Sequence, residues 1–589
     1  MKTYEEWLKQ IKNKEQENKY LKSESFKYSI TRLGAIAMLL FGVALSGYYH
    51  NQKGNMMAAV GLAAFIIFVI QHNKIKKVIM ENEQQIAVLN RYIARLSDEW
   101  QNFEEDGSAF IKQADPTLLD LDILGHASLY QLICVAKTAI GKKHLYEILA
   151  NNQEIDLLKR QEAIEELYQN QDFSLNYQTS LEAKKSQSMS AYPHLIETIE
   201  LFNDTKNIKG LNLLCMIPLI TLILGATAYF KIIAPAYFVI ALLAQFLFSS
   251  ILSMKYNNQL AKYSNVKELV SDYLNEVKLI EQETFHSDHL LDLQKCLTHK
   301  GKASKALSIL DMELSMITLR NNAILYLVFN SLFMYDLQCI RVLENWKSKY
   351  GSSIKGWIQT LGDMEAWISC SLIPLARKRT CTPEIIESQT PKIKSSECAH
   401  PLINEEKVVA NSFEISSGNI ITGSNMSGKS TFMRSIGVNM ILALAGCRVT
   451  CEAFTCSKMK IYSSMRLHDE LASGISTFYA EILRIKEIME ESKKKEGMLI
   501  LIDEIFKGTN SADRIVGSIE AIKKLNQPWI LCMITTHDFE LCTALPTLTN
   551  YHFEEHYVDN KINFDYLLLN GKCQTTNAQH LMRMAGIID

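Results

Sequence analysis

Asn419-Ile-Ile-Thr-Gly-Ser-Asn-Met-Ser-Gly-Lys-Ser-Thr431 decides the fold of this chain. Asn419–Thr422 reads as a short strand, and Gly423–Ser430 fits the phosphate-cradling pattern GxxxxGK[ST], the P-loop. Glycines let backbone N–H groups turn toward phosphate oxygens, and the helix that follows adds its positive N-terminus. The cradle is therefore expected to comprise Gly423, Ser424, Asn425, Met426, Ser427, Gly428, Lys429, Ser430 and Thr431. Lys429 is expected to reach the β- and γ-phosphates of ATP, and Ser430 to ligate Mg²⁺.

Further along, Met498-Leu-Ile-Leu-Ile-Asp-Glu504 reads as a buried strand ending in two carboxylates. Asp503 suits the shell of Mg²⁺, and Glu504 suits a base that orients the attacking water. An acidic helix cap would explain one carboxylate but not both after four aliphatics. Trp529–Ile534 reads as another strand, which delivers Thr535-Thr-His537 to the same edge and sets His537 to sense a γ-phosphate. From about residue 400 onward, short apolar runs alternate with helical patterns. That is the texture of a parallel α/β sheet.

Four segments together resemble the ATPase domain of MutS-like proteins: TGSNMSGKSTFMRSIG (422–437), GISTFYAEI (474–482), LIDEIFKGTN (501–510) and TTHDFEL (535–541). His400-Pro401 is similar to the pair that opens that domain, and Ala578–Ile587 to its closing helix. LLDLDILGHASLYQLI (118–133) and RQEAIEEL (160–167) resemble the start of the family's helical core, or lever, domain. The resemblance implies an ABC-type α/β domain working as a homodimer with composite sites. Ser476 would contact the γ-phosphate bound across the interface, Asn425 would line its own site, and Gly508-Thr509-Asn510 would lie at the dimer junction. Tyr566 falls where the family sets a ring against adenine, while Val408 stands where a second aromatic is usual. Ser424, Ser427 and Ile475 replace a proline, a glycine and an arginine of the mismatch-repair pattern.

The chain departs from that pattern in its apolar segments. Leu33–Tyr49 and Met56–Ile70 carry no charge, and a second pair, Leu211–Phe230 and Ile232–Met254, is divided by Lys231 alone. A helix crosses a bilayer core with about 20 apolar residues, so both pairs are expected to be transmembrane hairpins, with buried core helices as the alternative. Lys22, Lys27, Arg32, Lys74, Lys76 and Lys77 flank the first pair, and Lys206, Lys209 and Lys255 the second, which sets both ends of each hairpin in the cytoplasm. Ala323–Met334 contains Asn330, is closed by Asp336, and is expected to be a buried helix of a soluble domain. Lys74–Glu104 and Asn257–Leu297 read as long charged helices.

The expected architecture is multidomain. Residues 1–110 hold the first hairpin (33–49 and 56–70). Residues 111–395 form a mostly α-helical core interrupted by the second (211–230 and 232–254), and 396–589 form the α/β P-loop domain with a mainly parallel sheet. The hairpins stand where the family carries its mismatch-reading and DNA-clamping parts. Phe103-Glu-Glu105 matches the Phe-x-Glu letters but ends a charged helix, and no dimerising helix-turn-helix or nuclease-like tail is expected after Gly586.

The net charge is −2, from 62 basic and 64 acidic residues, which removes a global basic bias toward nucleic acid. Thirteen cysteines include no CxxC pair, and Cys447, Cys451 and Cys456 read as buried thiols rather than a zinc site. The first 28 residues are polar, so no cleavable signal peptide is expected. The expected location is the cell membrane, multi-pass, with both termini and the P-loop domain cytoplasmic. Three functions fit: a membrane-anchored ATPase acting on double-stranded or mismatched DNA in repair or recombination control, an ATP-driven membrane machine, and a nucleotide-gated scaffold for a protein partner.

Overall fold

The computed structural model describes residues 4–49, 52–151, 156–203, 211–254, 260, 263, 267–388, 390–465, 477–507, 510–558 and 561–573. Contacts group the chain into two compact units. The first is Met1–Val135, Leu145–Ala183 and Ala366–Asp589; the second is Ala136–His144 and Lys184–Glu365.

In the first unit, helix α1 (Tyr4–Tyr49, 46 residues) and helix α2 (Gln52–Leu96, 45 residues) form an antiparallel pair. At 1.5 Å per residue each is about 68 Å long. The segments 33–49 and 56–70 are therefore only the distal part of the pair, and the charged stretch from Lys74 continues α2 rather than starting a separate helix. No proline interrupts either helix, and polar pairs join their proximal halves. Asn82 donates to Asn18 at 3.1 Å, Lys22 pairs with Glu83 at 2.7 Å, and His72 lies 2.9 Å from Ser25 Oγ and 3.1 Å from Arg32. Distally the pair is held by close backbone approach. A Cβ on Gly42 would lie 2.5 Å from the Ala58 nitrogen, and one on Gly61 would lie 2.7 Å from that of Leu39. Small residues at such a seam are how helices associate where apolar burial gives no drive. α2 ends at Leu96, short of Glu104, because Asp98 turns the chain at φ 60° into a short 3₁₀ segment, Glu99–Asn102. Phe103 stacks under the Arg95 guanidinium at 5.0 Å, a packing role.

The second unit is helical. Helices α3 (Ile217–Tyr229) and α4 (Pro235–Met254) form the second apolar hairpin. Its first arm is shorter than the sequence implies, since Leu211–Leu214 is a separate turn and Pro218 sits in the first turn of α3. Its second arm starts at Pro235, after Lys231 reverses the chain at φ 58°. α1, α2 and α4 are the described helices long and apolar enough to cross a membrane, by length and composition. The stretch expected as one helix from Asn257 to Leu297 contains a break. Lys267–Gln282 and Asp288–Thr298 are separate helices, and Gln294 Nε2 takes up the carbonyls of Ile280 and Glu283 at the join. Helix α5 (Ala323–Phe333) is followed by α6 (Tyr335–Tyr350). α5 corrects the expectation of a buried helix, because Ile324, Leu327 and Val328 face outward and only the polar Asn330 is fully buried.

The C-terminal part of the first unit holds the sheets. Strands β1 (Glu384–Ile386), β2 (Ile393–Cys398), β3 (Asn411–Ile415) and β5 (Ala453–Ser457) make one sheet in the order β1-β5-β2-β3. Strands β4 (Asn419–Thr422), β6 (Lys460–Ser464), β7 (Met498–Asp503), β8 (Ile530–Thr536), β9 (Thr549–His552) and β12 (Leu569–Asn570) make the main sheet, ordered β12-β9-β4-β8-β7-β6. All its pairs are parallel except β12–β9, as the alternating texture implies. β10 (Glu555–Val558) and β11 (Lys561–Phe564) form a hairpin. Helices α7 (Lys429–Leu444), α8 (Thr477–Ser492) and α9 (Ser511–Leu525) accompany the main sheet. Parallel strands buried on both faces explain the unbroken aliphatic run of β7. Ile500 and Ile502 pack with Ile420, Ile534, Ile488 and Leu525 in one core. That packing brings the carboxyl ends of β4, β7 and β8 to one edge.

Gly61→Leu is expected to force α1 and α2 apart and to weaken their pairing by about 1–3 kcal/mol, the usual cost of overpacking. The measurement is thermal unfolding together with the distance between spin labels on the two helices; an unchanged distance and melting point would contradict this packing.

Candidate nucleotide-binding site

The loop from Gly423 to Gly428 leaves β4 at that edge and enters α7. Gly423 has φ 148°, and a Cβ there would lie 2.9 Å from both the Phe553 carbonyl and Ser427 Oγ. Gly428 has φ 104°, and its Cβ would lie 3.0 Å from the Tyr566 ring. Both positions combine a left-handed backbone with a close approach, which only glycine satisfies without strain.

Lys429 is buried and folds back over the loop, donating to the carbonyls of Gly423 at 2.9 Å and Ser424 at 2.6 Å. Burial lowers its pKa, against the raising pull of Glu504 and Asp503. Ser430 Oγ lies 2.9 Å from each Asp503 oxygen, and Thr535 Oγ1 donates to Asp503 at 2.5 Å. Glu504 follows at φ 58°, its oxygen 2.6 Å from His537 Nε2. The His537 imidazole, aided by Lys507 and Lys429 and opposed by partial burial, holds the Glu504 carboxyl down at about 2. Thus Lys429, Ser430, Asp503, Glu504 and His537 lie together at this edge. Ser476, Gly508, Thr509 and the segment Ala578–Ile587 lie outside the described residues.

A cavity of about 440 Å³ opens beside the loop, lined by Asn425, Met426, Ser427, Thr431, Val408 and Tyr566 among others. Tyr566 stands at φ 56°, and Asn411 fastens its turn by donating to the Tyr566 carbonyl at 3.0 Å and accepting from Leu568 N–H at 2.7 Å. His400, which also lines the cavity, accepts from Leu402 N–H; burial holds its pKa down at about 3, so it stays neutral. Cys447, Cys451 and Cys456 are buried, and no group of three or more His, Cys, Asp or Glu among the described residues forms a metal cluster. The oxygen set of Ser430 and Asp503 nevertheless suits a hard cation such as Mg²⁺, which takes few protein ligands beside phosphate.

Sequence reading missed Lys507, Glu481 and Asn411, and placed Thr535 at this edge without giving it a role. Lys507 reaches Glu504 at 3.7 Å and Asp503 at 3.8 Å. Glu481, buried on α8, accepts from the backbone N–H groups of Phe506 and, at 3.2 Å, Lys507, and so holds the turn after β7. Thr535 and Asn411 act as described above. Glu481 lies inside the quoted motif 474–482, and a lone carboxylate flanked by Ala480 and Ile482 was the available signal.

A family profile described as MutS domain V matches residues 419–589. The chain is MutS-like. The MutS-like chain is 31% identical over 173 residues to the DNA mismatch repair protein MutS of Orientia tsutsugamushi (strain Ikeda), covering 28% of this chain and 19% of the relative. It is 33% identical over 195 residues to the human MutS protein homolog 4, covering 30% and 20%. It is 29% identical over 250 residues to the MutS of Haloquadratum walsbyi, covering 40% and 26%. The match thus spans about a fifth to a quarter of these relatives.

The Glu504 carboxyl, depressed in the folded state, contributes stability that is full above the unfolded carboxylate value and is lost as pH falls toward about 2. His537→Ala is therefore expected to lower stability at about pH 5, with the difference from the parent shrinking as the pH falls from about 4.5 to 2. Denaturant titrations across that range check it; a pH-independent difference would contradict the pairing.

Proposed function

We propose that this MutS-like chain binds and hydrolyses ATP with Mg²⁺ at the Gly423–Thr431 loop, in a composite site completed by a second copy. The observation that carries this reading is the convergence of Ser430, Asp503 and Thr535 hydroxyl and carboxylate groups within 2.9 Å at the end of three buried strands. Lys429 exchanges its two loop carbonyls for β- and γ-phosphate oxygens. Asp503 orients Ser430 and whatever cation the pair holds; that cation supplies charge neutralisation on the phosphates. Glu504, kept ionised, orients the attacking water and accepts its proton, while His537 fixes the carboxylate and senses the γ-phosphate. Tyr566 and Val408 flank the base, and Ser476 of a second copy approaches the γ-phosphate.

ATP state is coupled, in this proposal, to the α1–α2 hairpin. The loop 400–408 supplies His400, Ile403, Lys407 and Val408 to the cavity wall. Asn404 in that loop donates to Asp98 at 2.6 Å, directly beyond the end of α2. Arg377 ties the same points together, reaching Asp98 at 3.3 Å and the Pro401 carbonyl at 2.7 Å. A nucleotide that moves this wall therefore pulls on a helix whose far end is apolar and exposed. The chain is read as a multi-pass membrane protein with its nucleotide site and termini cytoplasmic.

Two outputs follow from different observations. Likeness to mismatch-repair proteins favours action on double-stranded or mismatched DNA. The exposed apolar helices of both units favour a membrane machine or a scaffold for a protein partner, without DNA. Salt-sensitive binding to mismatched or branched duplex decides for the first; no binding in any nucleotide state decides for the second.

Glu504→Gln is expected to retain ATP and lose turnover by about 100-fold or more, and Lys429→Ala to weaken ATP binding by a similar factor. Turnover at the parent rate in either would refute the assigned roles. Asp98→Ala is expected to weaken ATP affinity several-fold while turnover at saturation stays near the parent rate; reduced turnover with unchanged affinity would refute the coupling.

A further inference from the structure

Helix α5 is inside out for a helix in water. Its inward side is polar. Asn330 is fully buried and accepts from Ser249 Oγ at 2.8 Å, the Ser331 carbonyl accepts from Gln245 Nε2 at 2.8 Å, and the Tyr326 hydroxyl donates to Asp336 at 3.0 Å. Its outward side is Ile324, Leu327, Val328 and Phe333, with Ile324 76% exposed. A helix at a water surface turns its apolar stripe inward and its polar face out. Polar side chains bonded inward and apolar ones turned out is the arrangement of helices in lipid.

Three further observations select lipid as the occupant of this face. It is continuous with α4, against which α5 packs and whose Ile240, Leu243 and Leu247 are also exposed. No charged residue occurs between Asn321 and Tyr335. The nearest charges, Arg320 and Asp336, neutralise each other at 2.8 Å. Length then decides the mode of insertion. Eleven residues make about 16 Å of helix, roughly half of a 30 Å hydrocarbon core. After Phe333 the chain turns by 79° through Met334, which stands at φ 51°. The bonds to Ser249 and Gln245 set α5 against the C-terminal half of α4, the half that leads back toward the cytoplasm.

We propose that α5 is a re-entrant membrane helix, which dips into the cytoplasmic half of the bilayer beside α4 and turns back without crossing. This rests on the membrane reading above. The test uses the full chain with Cys296→Ser and Cys381→Ser, the remaining cysteines of the described residues being buried. A nitroxide is attached at Leu327→Cys, Leu243→Cys on α4 or Lys295→Cys, in phosphatidylcholine–phosphatidylglycerol vesicles. The Leu327 and Leu243 labels are expected to collide several-fold more with oxygen than with a water-soluble nickel chelate, and the Lys295 label the reverse. A Leu327 label that favours nickel, or is closed to both reagents, while Leu243 favours oxygen, overturns the re-entrant helix and leaves the α4 span standing. Nickel access at both sites overturns the membrane reading and this proposal with it.

Discussion

The Asp503 carboxylate is the point on which the site depends. It is held at the end of a strand whose five preceding residues are buried, and it accepts hydroxyls from two other chain segments, Ser430 and Thr535. A carboxylate so placed fixes the relative position of β4, β7 and β8 at their carboxyl ends, because each hydroxyl is carried by a strand or helix that cannot slide without losing core packing. The neighbouring Glu504 is set by the same means: its left-handed backbone turns the side chain toward His537, and Glu481 braces the turn from beneath.

The parts legible in the sequence are those that depend on short-range chemistry. The glycine spacing of 423–428, the aliphatic run before Asp503 and the strand before His537 each carry their meaning within ten residues. Contributors brought in from afar were not legible. Asn411 lies over 150 residues from the Tyr566 turn it fastens, and Glu481 reaches a turn 25 residues on. The helix lengths failed for another reason. Charged residues from Lys74 onward look like a solvated helix of their own, yet the same periodicity continues α2 without a break.

α5 shows a different limit. An eleven-residue apolar run reads alike whether protein or another apolar medium surrounds it, and only the side on which Asn330 lies distinguishes the two. The buried bonds from Gln245 and Ser249 carry that information, and they join residues more than 80 positions apart.

The uninterrupted length of α2 has a mechanical consequence. A rigid rod of about 68 Å converts angle into distance: a tilt of about 5° at its Asp98 end displaces the far tip by about 6 Å, more than one helical turn. Under the coupling proposed above, a small change of the cavity wall at Asn404 would be geared up along the rod into a displacement of that size at its far tip.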